Sequence, residues 1–316
     1  MILAINPNPA IDHVLFIDSL NKRGMIRSGR ALDCIGGKGA DSALVLARLG
    51  APHCLVSFIA GRYGQMLEDL YKAYQINYEL IWVAGETRVV TVIIEQTKNR
   101  MTQISKQGFS ISESDCVHLW NSLKQKVGKN DWVLAAGSLP AGASGGFYRN
   151  VCEIAHQQGS KVMLDCSGEA LKNSLCAQPD IIKLNHAEYC QTLEPKSQTL
   201  SGLWNSANLI LNRYDIGAIV ITLGEDGILL VRKDGSWLGR GPVLKPVNPA
   251  GAGDAASAAL LYRLSKHDSW QDALRWSCAV SAASVLTEAT ADCTQEDIDF
   301  CLSKVVVEIY QPQDAN

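Results

Sequence analysis

The sequence predicts an α/β protein: a three-layer α/β/α arrangement around a mostly parallel sheet, with a small β-sheet attached as a lid. Three observations carry this. From Asp115 onward, short apolar strands alternate with segments of helical period, the rhythm of βαβ units. Two glycine turns, Gly36-Gly37-Lys38-Gly39 and Gly251-Ala252-Gly253, each open an apolar helix. Four short β-rich pieces, at Asp12 to Ile17, Arg27 to Cys34, Arg88 to Glu95 and Met101 to Ile104, come without helices between them. Parallel strands need long crossovers, so these four belong to a separate small sheet.

Taken in order, Ile2 to Ile5 is a strand stopped by Asn6-Pro7-Asn8-Pro9, and the first two lid pieces join at a turn around Asn21 to Gly24. Gly39 to Gly50 is a helix ending on its glycine. A strand at Cys54 to Ile59, a helix near Gly64 to Tyr74 and a strand at Tyr78 to Val83 follow. After the second lid excursion, a helix from Asp115 to Lys126 precedes the strand Trp132 to Ala135. The helix Gly145 to Gln157 then leads to the strand Lys161 to Leu164. Ile181 to Asn185 and Ala218 to Thr222 are strands separated by helices through Glu188 and over Leu200 to Asn212. Gly224 to Gly227 is a β-turn, and Ile228 to Arg232 returns from it. Three helices, Asp254 to Ser265, Trp270 to Leu286 and Thr294 to Ile309, finish the chain. The large domain therefore comprises 1–11, 35–86 and 106–316, and the lid 12–34 and 87–105.

The 316 residues suffice for one large α/β domain and a small appendage. Hydrophobic residues make up 47% and charged residues 19%, enough apolar matter for a sizeable core. The net charge of −3 and the lack of a basic block argue against nucleic acid as a partner. No segment approaches the roughly 20 apolar residues that span a bilayer, and Met1 to Asn6 has no signal-peptide pattern. The ten cysteines contain no Cys-x-x-Cys pair, and the six histidines do not cluster with them as in a zinc site. Buried free thiols in a reducing cytoplasm are the expectation.

The segment Asn248-Pro249-Ala250-Gly251-Ala252-Gly253-Asp254 carries the chemistry. The first amides of a helix lack internal partners and sit at the positive end of its dipole, which suits a phosphate. A carboxylate beside such a hole makes sense as a proton acceptor for a hydroxyl that attacks the bound phosphoryl group. The same four residues, Gly-Ala-Gly-Asp, also read as a plain loop followed by a capping Asp. Ser138, Asp165, Asn185 and Thr222 each stand just past a strand end, where open parallel sheets bind ligands.

In order, these motifs resemble the ribokinase-like sugar kinases of the PfkB family, nearest to its 1-phosphofructokinase and tagatose-6-phosphate kinase branch. The resemblance rests on Asn-Pro-Ala-Ile-Asp at 8–12, Gly-Gly-Lys-Gly at 36–39 and Gly-Ser-Leu-Pro at 137–140. Asp-Cys-Ser-Gly-Glu-Ala-Leu at 165–171, Lys-Leu-Asn-His-Ala-Glu at 183–188, Thr-Leu-Gly-Glu-Asp-Gly at 222–227 and Gly-Ala-Gly-Asp at 251–254 complete it. It implies Asp254 as catalytic base, with Gly251, Ala252 and Gly253 forming the anion hole for the transferring phosphoryl group. Asn185 and Glu188 resemble a motif that positions Mg²⁺, largely through water. Lys183, Thr222, Gly224 and Gly227 resemble contacts to ATP. Asp12 and Gly37 resemble sugar contacts, and Lys38, Arg88, Ser138 and Arg27 the groups that hold the sugar's existing phosphate.

Three positions depart from the pattern. Asp41 replaces the usual Asn of the first signature, exchanging an amide for an acceptor-only carboxylate; it is counted with the sugar contacts. Asn248-Pro249-Ala250 replaces the usual approach to the anion hole, and Leu184 the usual proline before Asn185. The resemblance implies an ATP- and Mg²⁺-dependent kinase of a ketohexose phosphate, fructose 1-phosphate first. Tagatose 6-phosphate, fructose 6-phosphate or an unphosphorylated sugar are alternatives, and a non-catalytic sensor of sugar phosphate and nucleotide is the rival from another class. A homodimer through the lid and a cytoplasmic location, with no membrane or nucleic-acid partner, complete the expectations.

Overall fold

The computed structural model describes residues 1–20, 23–98, 100–129 and 131–312. The strand β1 (Ile2–Asn6) is buried along its whole length. It leads into β2 (Ala10–Ile17) and β3 (Arg30–Gly36), then α1 (Lys38–Arg48), β4 (His53–Ile59), α2 (Gly61–Ala73) and β5 (Tyr78–Trp82). The strands β6 (Arg88–Glu95) and β7 (Arg100–Ser105) follow. Next come α3 (Glu113–Lys126), β8 (Trp132–Ala136), α4 (Phe147–Gln157), β9 (Lys161–Asp165), α5 (Gly168–Lys172), β10 (Ile181–Asn185) and α6 (His186–Leu193). The chain continues through α7 (Leu200–Tyr214), β11 (Ala218–Thr222), β12 (Ile228–Arg232) and β13 (Gly235–Arg240). It closes with α8 (Ala252–Ser265), α9 (Trp270–Ser284), α10 (Gln295–Leu302) and β14 (Val306–Ile309).

Ten strands form one sheet in the order β14-β13-β12-β11-β10-β9-β8-β1-β4-β5. The seven from β11 to β5 run parallel, and β12, β13 and β14 add an antiparallel edge. On one face α3, α4, α6 and α7 bury residues such as Leu119, Val151, Tyr189 and Leu203. On the other, α1, α8, α9 and α10 bury Leu46, Leu260, Val280 and Ile298. The chain leaves β1 to one side for β4 and β5, then returns to the other for β8 through β11. Ligands in open α/β sheets bind at such a reversal, beyond the carboxyl ends of the strands.

The second sheet has the order β3-β2-β6-β7. Its registers set Ala10 opposite Arg88 and Asp12 opposite both Cys34 and Val90. Side chains alternate along a strand, so Asp12 shares a face with Val14 and Phe16, which pack with Val90, Val92 and Ile94. One face thus carries both an apolar cluster and the polar end that meets the large sheet.

One expectation about the chain's end fails. Thr294 to Ile309 is not one helix, because α10 stops at Leu302 and Val306–Ile309 pairs antiparallel with β13. The run Val305-Val306-Val307 is β-branched, and a partner edge was available to it. The strand β13, itself short and holding two glycines, has no counterpart among the sequence-predicted elements. The strand expected from Arg27 begins only at Arg30. Asn21 and Lys22 of the turn expected before it lie outside the described residues, as does Asn99 between β6 and β7.

Candidate active site

Helix starts differ in whether a side chain caps them; α2, α4 and α5 begin on Ala60, Gly146 and Ser167 without such a cap. Those of α3, α6, α7, α9 and α10 are capped by Ser112, Asn185, Thr199, Ser269 and Thr294, whose side chains accept from the first-turn amides. The starts of α1 and α8 are glycines with left-handed backbone, Gly37 at φ 106° and Gly251 at φ 79°, and neither has a side-chain cap. At α8 the amides of Ala252 and Gly253 have no intrahelical acceptor and the residues are half-buried, open to the crevice. From Asp254 to Tyr262 every residue of α8 is buried, and small alanines let the helix lie deep between α1 and α9.

The turn before α8 is fixed from behind. A β-carbon at Gly251 would stand 2.7 Å from the Ala291 nitrogen, so no other residue fits without moving that loop. Asn248, fully buried, donates from Nδ2 to the Glu288 carbonyl at 2.9 Å and accepts from the Ala250 amide at 2.9 Å. The departure at 248 thus has a structural use: its amide straps the loop after α9 to the loop that leads into the anion hole.

Asp254 is buried in the first turn of α8. Burial pushes its carboxyl up to about 7; Lys183 and Lys38 pull it back, while Asp165 and Glu188 push with burial. Lys183 is likewise buried, and its Nζ would stand 2.9 Å from a β-carbon at Gly253, which places the ammonium against the anion hole. That Nζ donates to Asp165 Oδ2 at 2.8 Å. Ser257 Oγ donates to the same oxygen at 2.8 Å, and Lys38 Nζ to Asp165 Oδ1 at 2.9 Å. Lys38 also reaches Glu188 Oε1 at 2.8 Å. Burial opposes the charge on Asp165, yet the two lysines outweigh it and hold its carboxyl below the usual range.

The structure therefore divides the groups expected at the sugar's phosphate. Arg88 donates to the Asn8 carbonyl at 3.1 Å and to Ser105 Oγ at 2.8 Å, and Asn8 Nδ2 donates to Ser138 Oγ at 3.0 Å. Arg88 and Ser138 are joined through Asn8, while Lys38 points to the phosphoryl side with Asp165 and Glu188. Arg27 is exposed in the loop before β3 and joins neither group. Arg88 Nε is buried without a partner, a donor still to be used.

Asp12 is buried beside the same loop after α9 that backs Gly251. Its Oδ2 accepts from Thr290 Oγ1 at 3.3 Å, and a β-carbon at Gly36 would strike its Oδ1. Burial raises its carboxyl to about 7, against the pull of Thr290 and Arg88. Gly37 has Asn6 Oδ1 3.0 Å and Pro9 Cα 3.2 Å from where a β-carbon would be, so packing and its positive φ both require a glycine there.

Asn185 and Glu188 form a capping box, with the Glu188 amide on Asn185 Oδ1 at 2.8 Å and the Asn185 amide on Glu188 Oε2 at 3.0 Å. No group of three or more His, Cys, Asp or Glu residues that could hold a metal ion occurs among the described residues. With the Glu188 oxygens already taken by Lys38 and the Asn185 amide, a Mg²⁺ here would be held through its own water and not by direct ligation. Thr222 ends β11 in register with Asn185. Gly224 is open, whereas Gly227 has a structural reason: a β-carbon there would strike the Gly239 carbonyl.

Sequence reasoning left Asp165, Asn8, Ser257, Thr290 and Asn248 off the list of site residues. Asp165 and Asn8 stood within recognisable motifs. Ser257, Thr290 and Asn248 act on partners far along the chain, and nothing local marks them.

The three raised carboxyls predict a pH effect. Unfolded, these carboxyls titrate near 3.8; folded, burial raises Asp12 and Asp254 to about 7 and lifts Asp41 well above its ordinary value. The folded state therefore binds more protons above pH 4, and stability falls as pH rises toward and through 7. The ligand-free protein should melt a few degrees lower at pH 8 than at pH 6.5, by differential scanning calorimetry. A higher melting temperature at pH 8 would show these groups to be ionised in the fold.

A model of the family described as pfkB family carbohydrate kinase matches residues 8–297. Among solved structures, phosphofructokinase-2 from Escherichia coli in complex with substrates and products superposes with a TM-score of 0.89 at 21% identity, covering 96% of this chain and 98% of that one. That enzyme is also known in complex with potassium, with fructose-6-phosphate, and in a tetrameric inhibited form. A Thermotoga maritima protein described as a possible 1-phosphofructokinase gives 0.89 at 22% identity, covering 98% and 100%. Ribokinase from Thermotoga maritima gives 0.74 at 20% identity, covering 96% and 99%.

Proposed function

Because the chain belongs to the pfkB family of carbohydrate kinases, we propose that it transfers the γ-phosphoryl group of ATP to a hydroxyl of a ketohexose phosphate, fructose 1-phosphate being the first substrate to try. The observation that carries this reading is Asp254 in the same first turn as the bare amides of Ala252 and Gly253, with Asp12 and Arg88 near it around Asp41. An anion hole beside a buried carboxyl suits phosphoryl transfer, in which the protein positions groups and spreads charge. The γ-phosphoryl rests on the two amides and on Lys183. The acceptor hydroxyl gives its proton to Asp254 as its oxygen bonds to phosphorus, and ADP leaves with the electrons of the broken P–O bond. An ordinary Asp is too weak a base to act early, but burial brings Asp254 near neutrality, which improves the match. Mg²⁺, held through water near Asn185 and Glu188, neutralises the ATP phosphates when bound.

The unpartnered Nε of Arg88, with Ser138 brought beside it by Asn8, favours a phosphorylated sugar over a neutral one. Release of ADP from Mg·ATP, measured with fructose 1-phosphate, tagatose 6-phosphate, fructose 6-phosphate and the free sugars, tests the reading. Turnover with free sugars only overturns the substrate class, and no turnover with any of them favours a sensor. Arg88→Ala is expected to raise KM for the sugar phosphate about 10- to 100-fold, the loss of a charge-assisted hydrogen bond, with KM for ATP little changed. An unchanged sugar KM removes Arg88 from the site.

The small sheet is proposed as a lid that closes over the sugar. Exposed Ile104 on β7 and Met25 in the loop before β3 support a dimer through it. Among the described residues, no helix is long and apolar enough to cross a membrane. The cysteines, free among the described residues, fit a reducing cytoplasm.

A further inference from the structure

Asp41 stands in the first turn of α1, 4% exposed, and its Oδ1 is enclosed without a hydrogen-bond partner. The groups that face it come from five elements. Asp254 lies on α8, Asp12 on β2 and Arg88 on β6, and the remaining titratable neighbours are Cys34 on β3 and Tyr71 on α2. The only cation in that set is Arg88. Lys38 and Lys183 are engaged with Asp165 and Glu188. One guanidinium cannot neutralise three buried carboxylates, and like charges at such range cannot all ionise. Asp12 has the Thr290 hydroxyl and Asp254 the nearby lysines, whereas Asp41 has only the Gly37 backbone amide and a share of Arg88 against its burial and two neighbouring carboxyls. The proton has its best place on Asp41.

We propose that Asp41 meets the sugar as a neutral carboxylic acid, its O–H donating to a sugar oxygen beside the acceptor hydroxyl, so that it acts as a specificity-determining residue. The inference rests on the kinase reading above and deepens it. An acid in this state presents a donor and an acceptor, as a side-chain amide does. The substitution that looks in sequence like the loss of a donor keeps one in the fold. The substrate class it fits is a polyol with an accepting oxygen at that point, not an amino sugar, whose ammonium would need the carboxylate ionised.

Two measurements test it. Infrared spectra of the ligand-free protein at pH 7.5 should show a protonated carboxylic carbonyl band that is missing from Asp41→Asn; no difference between them overturns the proposal. For the sugar phosphate, wild-type kcat/KM should fall about tenfold per pH unit once Asp41 ionises, a limb absent from kcat/KM for ATP. Asp41→Asn should lack that limb and surpass wild type at the alkaline end, and should exceed Asp41→Ala by at least about tenfold throughout. An Asn variant as poor as the Ala variant, one that keeps the alkaline limb, or a wild type that prefers amino sugars overturns the proposal. A wild type that phosphorylates no sugar overturns the kinase reading instead, and the infrared comparison still reports where the proton is.

Discussion

Asp254→Ala is expected to lower kcat by about 10²- to 10⁴-fold, the usual worth of a positioned general base, while ATP still binds. The physical reason is its address. The residue sits one turn into α8 and close to Lys183, so the phosphoryl group and the base belong to the same helix end. Its removal leaves the amides of Ala252 and Gly253 untouched, which is why nucleotide affinity should survive. Asp254→Asn should lose nearly as much turnover, since the amide has the shape but cannot take the proton. Because burial holds the carboxyl near 7 in the ligand-free protein, kcat/KM should fall on the acid side as Asp254 becomes protonated. Wild-type turnover by either variant, measured by ADP release, would remove the proton-acceptor role.

The largest loss of stability is expected from Asp165→Ala. This carboxylate is fully buried and is the common partner of Lys183, Lys38 and Ser257. Its removal takes away the one carboxylate that the buried Lys183 ammonium pairs with directly, which costs about 3–5 kcal/mol. A chain of this size should then melt about 5–10 °C lower. Turnover should fall too, because Lys183 is held against Gly253 by this contact. The double variant Asp165→Ala with Lys183→Met should recover part of the stability but none of the activity, since the orphaned charge is gone with the lysine. If the double variant melts lower than Asp165→Ala alone, the loss comes from packing and not from charge.

Much of the fold was legible because hydrophobic periodicity is local. Each strand from Trp132 to Thr222 is an apolar run bounded by polar residues, and each intervening helix repeats at helical spacing. The failures lie at the far edge of the sheet. Gly235–Arg240 has too weak an alternation to stand out, and Val306–Ile309 became a strand only because that edge was there to receive it. The uncapped start of α8 was legible for the same local reason: glycines that leave amides bare, next to an acid, are neighbours in sequence. The grouping of the cations was not. Lys38 was expected beside Arg88, but its charge is taken by Asp165 and Glu188, 127 and 150 residues away.

By itself the sequence determined most of the order of strands and helices, the separate small sheet and the uncapped glycine start of α8 that we propose holds a phosphoryl group. These follow from side-chain period and from backbone freedom at Gly37 and Gly251, properties of short stretches. Only the tertiary structure decided which carboxyls are charged, which lysine serves which acid, and how Asn248 and Thr290 brace the site. Proton affinity and ion pairing depend on solvent exclusion and on neighbours from distant elements, and those exist only once the chain has folded.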